Sequence, residues 1–166
     1  MAEDFEVEPQ IESRWCWAAV SSSVDRFYAG GPRLSQCEVA NKLMKVPCCD
    51  DHGPCNKDQH LEDAFASIGR PVRKVQAGFL SFDEIKREID SHRPICVRIQ
   101  WRAGGGHFVV IYGYRESKKG RKLVVVSDPS PIFANSVLEY ARFVDDYQSL
   151  GAWTHTFLTQ QSEGSQ

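Results

Sequence analysis

The sequence predicts an α+β domain in which helices come first and a sheet follows. Up to about His92, apolar residues recur every three or four positions, as a helix with one buried face requires. From Pro94 onward the recurrence shortens to two, the period of a strand with one face in a core. That order belongs to an α+β chain rather than to alternating βαβ units. At 166 residues the chain is one domain of ordinary size, able to bury a core without metals or crosslinks. The domain is expected over residues 10–160, between an extended arm at 1–9 and a polar tail at 161–166.

The arm alternates acidic and apolar residues and closes at Pro9. A helix follows over about 15–28, with Ala19, Val20, Val24, Phe27 and Tyr28 on its apolar face, and Gly30-Gly31-Pro32 stops it. Ser35-Gln36-Cys37-Glu38 is a capping box for a second helix, which Pro47 ends. Residues 47–57 form a cysteine-held loop. Asp50, Asp51 and His52 there are expected to be solvated loop residues rather than metal ligands. A third helix covers about 58–68, with Leu61, Ala64, Phe65 and Ile68 as its stripe and Gly69 as its stop. Residues 71–76 are a short strand or link, and Ser81-Phe82-Asp83-Glu84 starts a helix to about His92. Strands are expected at 95–101, 107–114 and 121–127, the last two joined by a turn at Ser117-Lys118-Lys119-Gly120. The three- and four-residue spacing of Val137, Tyr140, Ala141, Val144 and Tyr147 reads as a short helix, and 152–159 alternates as a final strand.

The net charge of −2, with both signs mixed along the chain, excludes a nucleic-acid groove or a basic membrane patch. No run of 18 apolar residues occurs, so no transmembrane helix is expected. The acidic start, Met1-Ala2-Glu3-Asp4-Phe5-Glu6, lacks the parts of a secretory signal. Gly104-Gly105-Gly106 leads into a strand and lacks a following Lys-Ser/Thr, so it is no phosphate cradle. No cofactor is expected.

Three distant residues carry the chemistry. Cys16 begins the first helix, where unpaired backbone N–H groups and the positive end of the dipole favour a thiolate. Trp15 and Trp17 flank it and can wall a cleft. His107 opens an apolar strand behind the glycine run, and Asp128 ends another, stopped by Pro129. Thiol, imidazole and carboxylate thus lie at the edges of regular elements, as a nucleophile, base and orienter must. The bland alternative for Cys16 is a buried thiol between two core tryptophans. His155 and His60 are expected in structural or surface roles. Trp101 and Trp153 either shield the site or belong to the core.

Gln10, the run Cys16-Trp17-Ala18-Ala19, the run Gly106-His107-Phe108-Val109-Val110 and the pair Asp128-Pro129 together resemble a papain-like cysteine peptidase of the compact branch. That branch includes the bacteriocin-leader-processing peptidase domains and bacterial effector cysteine peptidases. The resemblance spans residues 10–129. It implies a twisted, mostly antiparallel sheet curled against the catalytic helix, with Cys16 as nucleophile and His107 as general base and acid. It further implies Asp128 as the group that orients His107, where the larger papain-like enzymes usually place Asn. Gln10, six residues before Cys16, would donate its amide to the oxyanion beside the Cys16 N–H. The expected partner is a peptide or protein substrate.

Five other cysteines remain. Cys96 sits in an alternating strand and reads as a buried free thiol. Cys37, Cys48, Cys49 and Cys55 cluster, and two disulfides are the leading reading. Unlinked thiols remain an alternative. A zinc site is a weaker one, because Cys48-Cys49 adjacency and the missing C-x2-C pairs suit a tetrahedral site poorly. The resemblance favours disulfides, and with them an oxidising destination such as that of a secreted effector. A cytoplasmic location follows if the start is native. The chain carries no transporter segment, which argues against an exporter-linked role. The same catalytic set serves transfer to an amine or side-chain deamidation, and a non-catalytic peptide-binding module is the alternative from another class.

Overall fold

The computed structural model describes residues 5–161. The expected tail lies almost wholly outside the described residues, as does the start of the arm. The core of the fold is a six-stranded antiparallel sheet in the order β1-β6-β2-β3-β4-β5. Its strands are β1 (Lys74–Ala77), β2 (Ile95–Trp101), β3 (Gly106–Glu116), β4 (Lys122–Ser127), β5 (Asn135–Glu139) and β6 (Gly151–Leu158). Alternation along the strands sends side chains to two cores. Cys96, Phe108, Val110 and Phe157 face one, with helices α1 (Cys16–Ala29), α2 (Gln36–Met44) and α3 (Leu61–Ser67). Ile95, Val97, Ile99, Val109 and Ile111 face the other, covered by α4 (Phe82–Asp90) and α5 (Tyr140–Asp145). The result is three layers, with the N-terminal helices on one face as expected and a second helical layer behind the sheet.

Helix α1 is buried on all sides over its first three turns, and small residues let it sit so deep. Ser21 and Ser22 donate their hydroxyls to backbone carbonyls of Trp17 and Leu34, and Ser23 accepts from Glu8 N. Each buried hydroxyl therefore keeps a partner. Both expected capping boxes form, at Ser35 and at Ser81. The arm lies along the domain: Phe5 and Val7 are buried, Val7 N donates to Ser127 Oγ and Gln10 N to Pro129 O.

Residues 135–147 depart from expectation. They split into edge strand β5 and the short helix α5. Val137, the first residue of the expected helical stripe, is 56% exposed, and it pairs with Val125 of β4. The unpaired edge of β4 is satisfied by this strand, a tertiary demand that overrides local spacing.

The four clustered cysteines pair as Cys37–Cys49 and Cys48–Cys55. Loop closures of this size are worth about 2–3 kcal/mol each in the chain-entropy picture. Cys16 and Cys96 are the free cysteines, and both are buried.

Candidate active site

Cys16 is the first residue of α1, 8% exposed. No side chain caps the helix start and no acidic residue occupies its first turn, so backbone N–H groups there remain available to an anion. The two tryptophans beside Cys16 are fully buried. Their indole N–H groups donate to Cys55 O at 2.9 Å and Lys57 O at 2.8 Å. Arg14 N donates to Asn56 Oδ1 at 2.9 Å. The disulfide-held loop is thereby fastened to the helix that carries the thiol.

The sheet brings the imidazole. Strands β2 and β3 are joined by a tight turn in which Gly104 and Gly105 adopt φ of 108° and 86°, where a side chain would be strained. This turn presents His107 with the Trp101 ring stacked on it at 5.4 Å. His107 Nε2 bonds to Asp128 Oδ1 at 2.6 Å. The Cys16 thiol lies near enough to the same ring to help hold its proton. His107 and Asp128 are 7% and 4% exposed. Burial pulls the imidazolium down, but the bonds to Asp128 and Cys16 and their charges outweigh it, and the pKa of His107 is pushed up to about 9.

Asp128 is itself held. Oδ1 also accepts from Ser130 N at 2.8 Å, and Oδ2 accepts from Tyr147 OH at 2.5 Å. Burial and the neighbouring carboxylate push the Tyr147 phenol up, so it remains a donor. A buried carboxylate with three donors is fixed in position. Tyr147 was not expected here, because its spacing placed it on the helical stripe. It lies just after α5 and stacks on Trp101.

Gln10 lies near the others, in an apolar pocket of about 510 Å³ that His107 also lines. Its Nε2 donates to Glu12 O at 3.0 Å and Ser13 O at 2.8 Å, which clamps the turn before α1. Two carbonyl partners fix which end of the amide carries nitrogen. Its Oε1 is buried without a partner among the described residues.

Two cavities therefore flank the thiol and imidazole. The first, about 690 Å³, is lined by Cys16, Trp17, Arg98, Gly106 and Phe108, together with Asp58 and with Glu62 of α3. The second is the apolar pocket, walled by Trp101, Pro131, Phe133 and Leu150. Trp101 thus shields the site while Trp153 is core. His155 and His60, given no site role from sequence, both line the first cavity. Among the other candidates, His52 bonds to Glu12 at 2.9 Å. Burial pushes the Cys96 thiol up, far from nucleophilic form.

The sheet curled against a buried thiol-bearing helix, with imidazole and carboxylate behind it, defines a papain-like cysteine peptidase. The model of the Peptidase_C39 like family matches residues 2–155, and the chain belongs to that family. Among solved structures, the peptidase domain of Streptococcus mutans ComA aligns with a TM-score of 0.53 at 17% identity, over 94% of this chain and all of that one. Bromelain from Ananas comosus aligns with a TM-score of 0.61 at 14% identity, over 95% and 96% of the two chains. The proform of the ragweed pollen protease Amb a 11 aligns at 0.57 and 15%, over 98% of this chain and 65% of its own. At these identities the likeness is one of fold. No curated protein matches the sequence significantly.

Proposed function

We propose that the protein is a cysteine endopeptidase that works through a thioester on Cys16. The observation that supports this most is the 2.6 Å bond between His107 and Asp128, with the Cys16 thiol near enough to the same ring to help raise its pKa. Sγ attacks the peptide carbonyl, a C–S bond forms, and the C–N bond breaks as His107 gives its proton to the leaving amine. Water then attacks the thioester, His107 takes its proton, and the acid is released with the thiol restored. Asp128 keeps Nε2 protonated and Nδ1 aimed at the thiol. The uncapped start of α1 supplies N–H groups to the oxyanion. Gln10 serves as second donor by exchanging one of its two carbonyl partners for the substrate oxygen. The two disulfides fit an oxidising destination.

The test is digestion of a complex peptide mixture, read by mass spectrometry, with wild type and Cys16→Ala. New termini in the wild-type sample alone, with a transient acyl mass on Cys16, are expected. Amine adducts or deamidated side chains in place of new carboxyl termini would overturn hydrolysis in favour of transfer or deamidation.

A further inference from the structure

Arg98 is a half-buried cation on the floor of the cavity that holds Cys16. No carboxylate lies within ion-pair distance of it among the described residues. The other half-buried or buried arginines, Arg26, Arg70 and Arg93, each have one. Its guanidinium is nonetheless tightly placed. Nη1 donates to Thr154 Oγ1 at 3.1 Å and Nη2 to Gln100 Oε1 at 3.0 Å, both neutral acceptors. Thr154 is available because β6 bulges against β2 between Arg98 and Ile99, where one extra residue re-aims the strand. The flat of the guanidinium rests on Gly106, where a Cβ would meet Nη2 at 2.6 Å. A side chain at 106 would push the guanidinium from this seat. A cation fixed by neutral partners beside a nucleophile, with no counter-ion, is a preformed place for an anion.

The chemistry says which part of the substrate meets it. The acyl portion stays on Cys16 and the departing amine takes its proton from His107. The cavity lined by Cys16 and Arg98 therefore receives the acyl side, and the apolar pocket lined by His107 receives the leaving side. We infer that Arg98 is a specificity-determining residue that selects an Asp or Glu side chain of the substrate on the acyl side of the scissile bond. The selection is local. Asp58 and Glu62 line the same cavity without pairing with Arg98, and a second acidic residue directed at them is disfavoured. His155, paired with Arg98 across β2 and β6, adds positive charge to the Arg98 wall when protonated.

This inference rests on the proposed peptidase reading, and its test separates the two. A positional-scanning peptide library is digested by wild type, Arg98→Gln, Arg98→Lys and Arg98→Glu. Wild type is expected to favour Glu or Asp over Gln or Asn at one acyl-side position by roughly ten-fold. The preference is lost in Arg98→Gln, partly kept in Arg98→Lys and turned toward Lys or Arg in Arg98→Glu. The same Glu and Gln peptides are also scored for protecting Cys16 from iodoacetamide, which reads binding without turnover. Charge-selective protection without cleavage would remove the peptidase reading and leave the role of Arg98 standing. Equal treatment of Glu and Gln peptides by wild type, or a preference that survives in Arg98→Gln, would overturn the inference.

Discussion

Two aspartates are buried among the described residues, and they are held in opposite ways. Asp25, on α1, accepts from Arg33 at 2.8 Å and from Arg70 at 2.9 Å. Both partners are permanent cations, and Arg70 is itself buried and lies over the Tyr28 ring. Asp128 accepts from a backbone N–H, a phenol and an imidazole. Only the imidazole can give and take a proton near neutrality. The first arrangement locks α1 to the chain segments at 33 and 70. The second sets a carboxylate beside a group that titrates, with the Cys16 thiol near the same ring. Burial and hydrogen-bond count are alike in both. On the proposed mechanism, what separates the structural carboxylate from the catalytic one is whether its partner can exchange a proton.

The largest expected difference comes from replacing each carboxylate by its amide. Asp128→Asn should lower kcat/KM by on the order of 10³-fold, because the His107 tautomer is no longer fixed, while the chain still folds. Asp25→Asn should do the reverse. It strands two arginines, one of them buried, and should cost about 3–5 kcal/mol in urea denaturation with little change in the turnover of folded enzyme. Equal effects of both changes on both readouts would break the comparison.

The next effect is on pH. The pKa of His107 is raised from 6.5 to about 9 in the fold. A raised value means that the folded state holds the proton more tightly, so its contribution is fully present below about pH 6.5 and is lost as pH rises toward 9. The contribution is on the order of 3 kcal/mol. Stability of wild type relative to His107→Ala should therefore fall between those limits, and no such window should appear for Arg70→Ala. The smallest effect belongs to Tyr147→Phe. It removes one donor to Asp128, should cost about 1–2 kcal/mol, and should raise the His107 titration midpoint slightly in a ring-proton NMR titration, because the carboxylate then shares its charge with one donor fewer.

The three residues proposed for catalysis stand out in sequence because each sits at the edge of an element with a chemical reason to be there. Cys16 begins a helix, His107 follows a glycine turn and Asp128 ends a strand before Pro129. The helices and central strands followed from periodicity to within a few residues. What sequence could not supply depends on which elements meet. Tyr147 reaches Asp128 only because α5 folds back over the sheet, and residues 135–139 become a strand only because β4 has an open edge. Arg98 reads as one polar residue in an alternating strand. Its meaning comes from the bulge at Thr154 and the bare backbone at Gly106, neither of which has a local signal.

The most direct test of the central claim compares the two free thiols of the same molecule. Iodoacetamide is applied to the native protein at pH 6, and modification of Cys16 and Cys96 is followed by mass spectrometry, in wild type and in His107→Ala. The account predicts rapid modification of Cys16, none of Cys96, and a loss of at least roughly ten-fold in the Cys16 rate when His107 is removed. A Cys16 as inert as Cys96, or one whose rate is indifferent to His107, would contradict it.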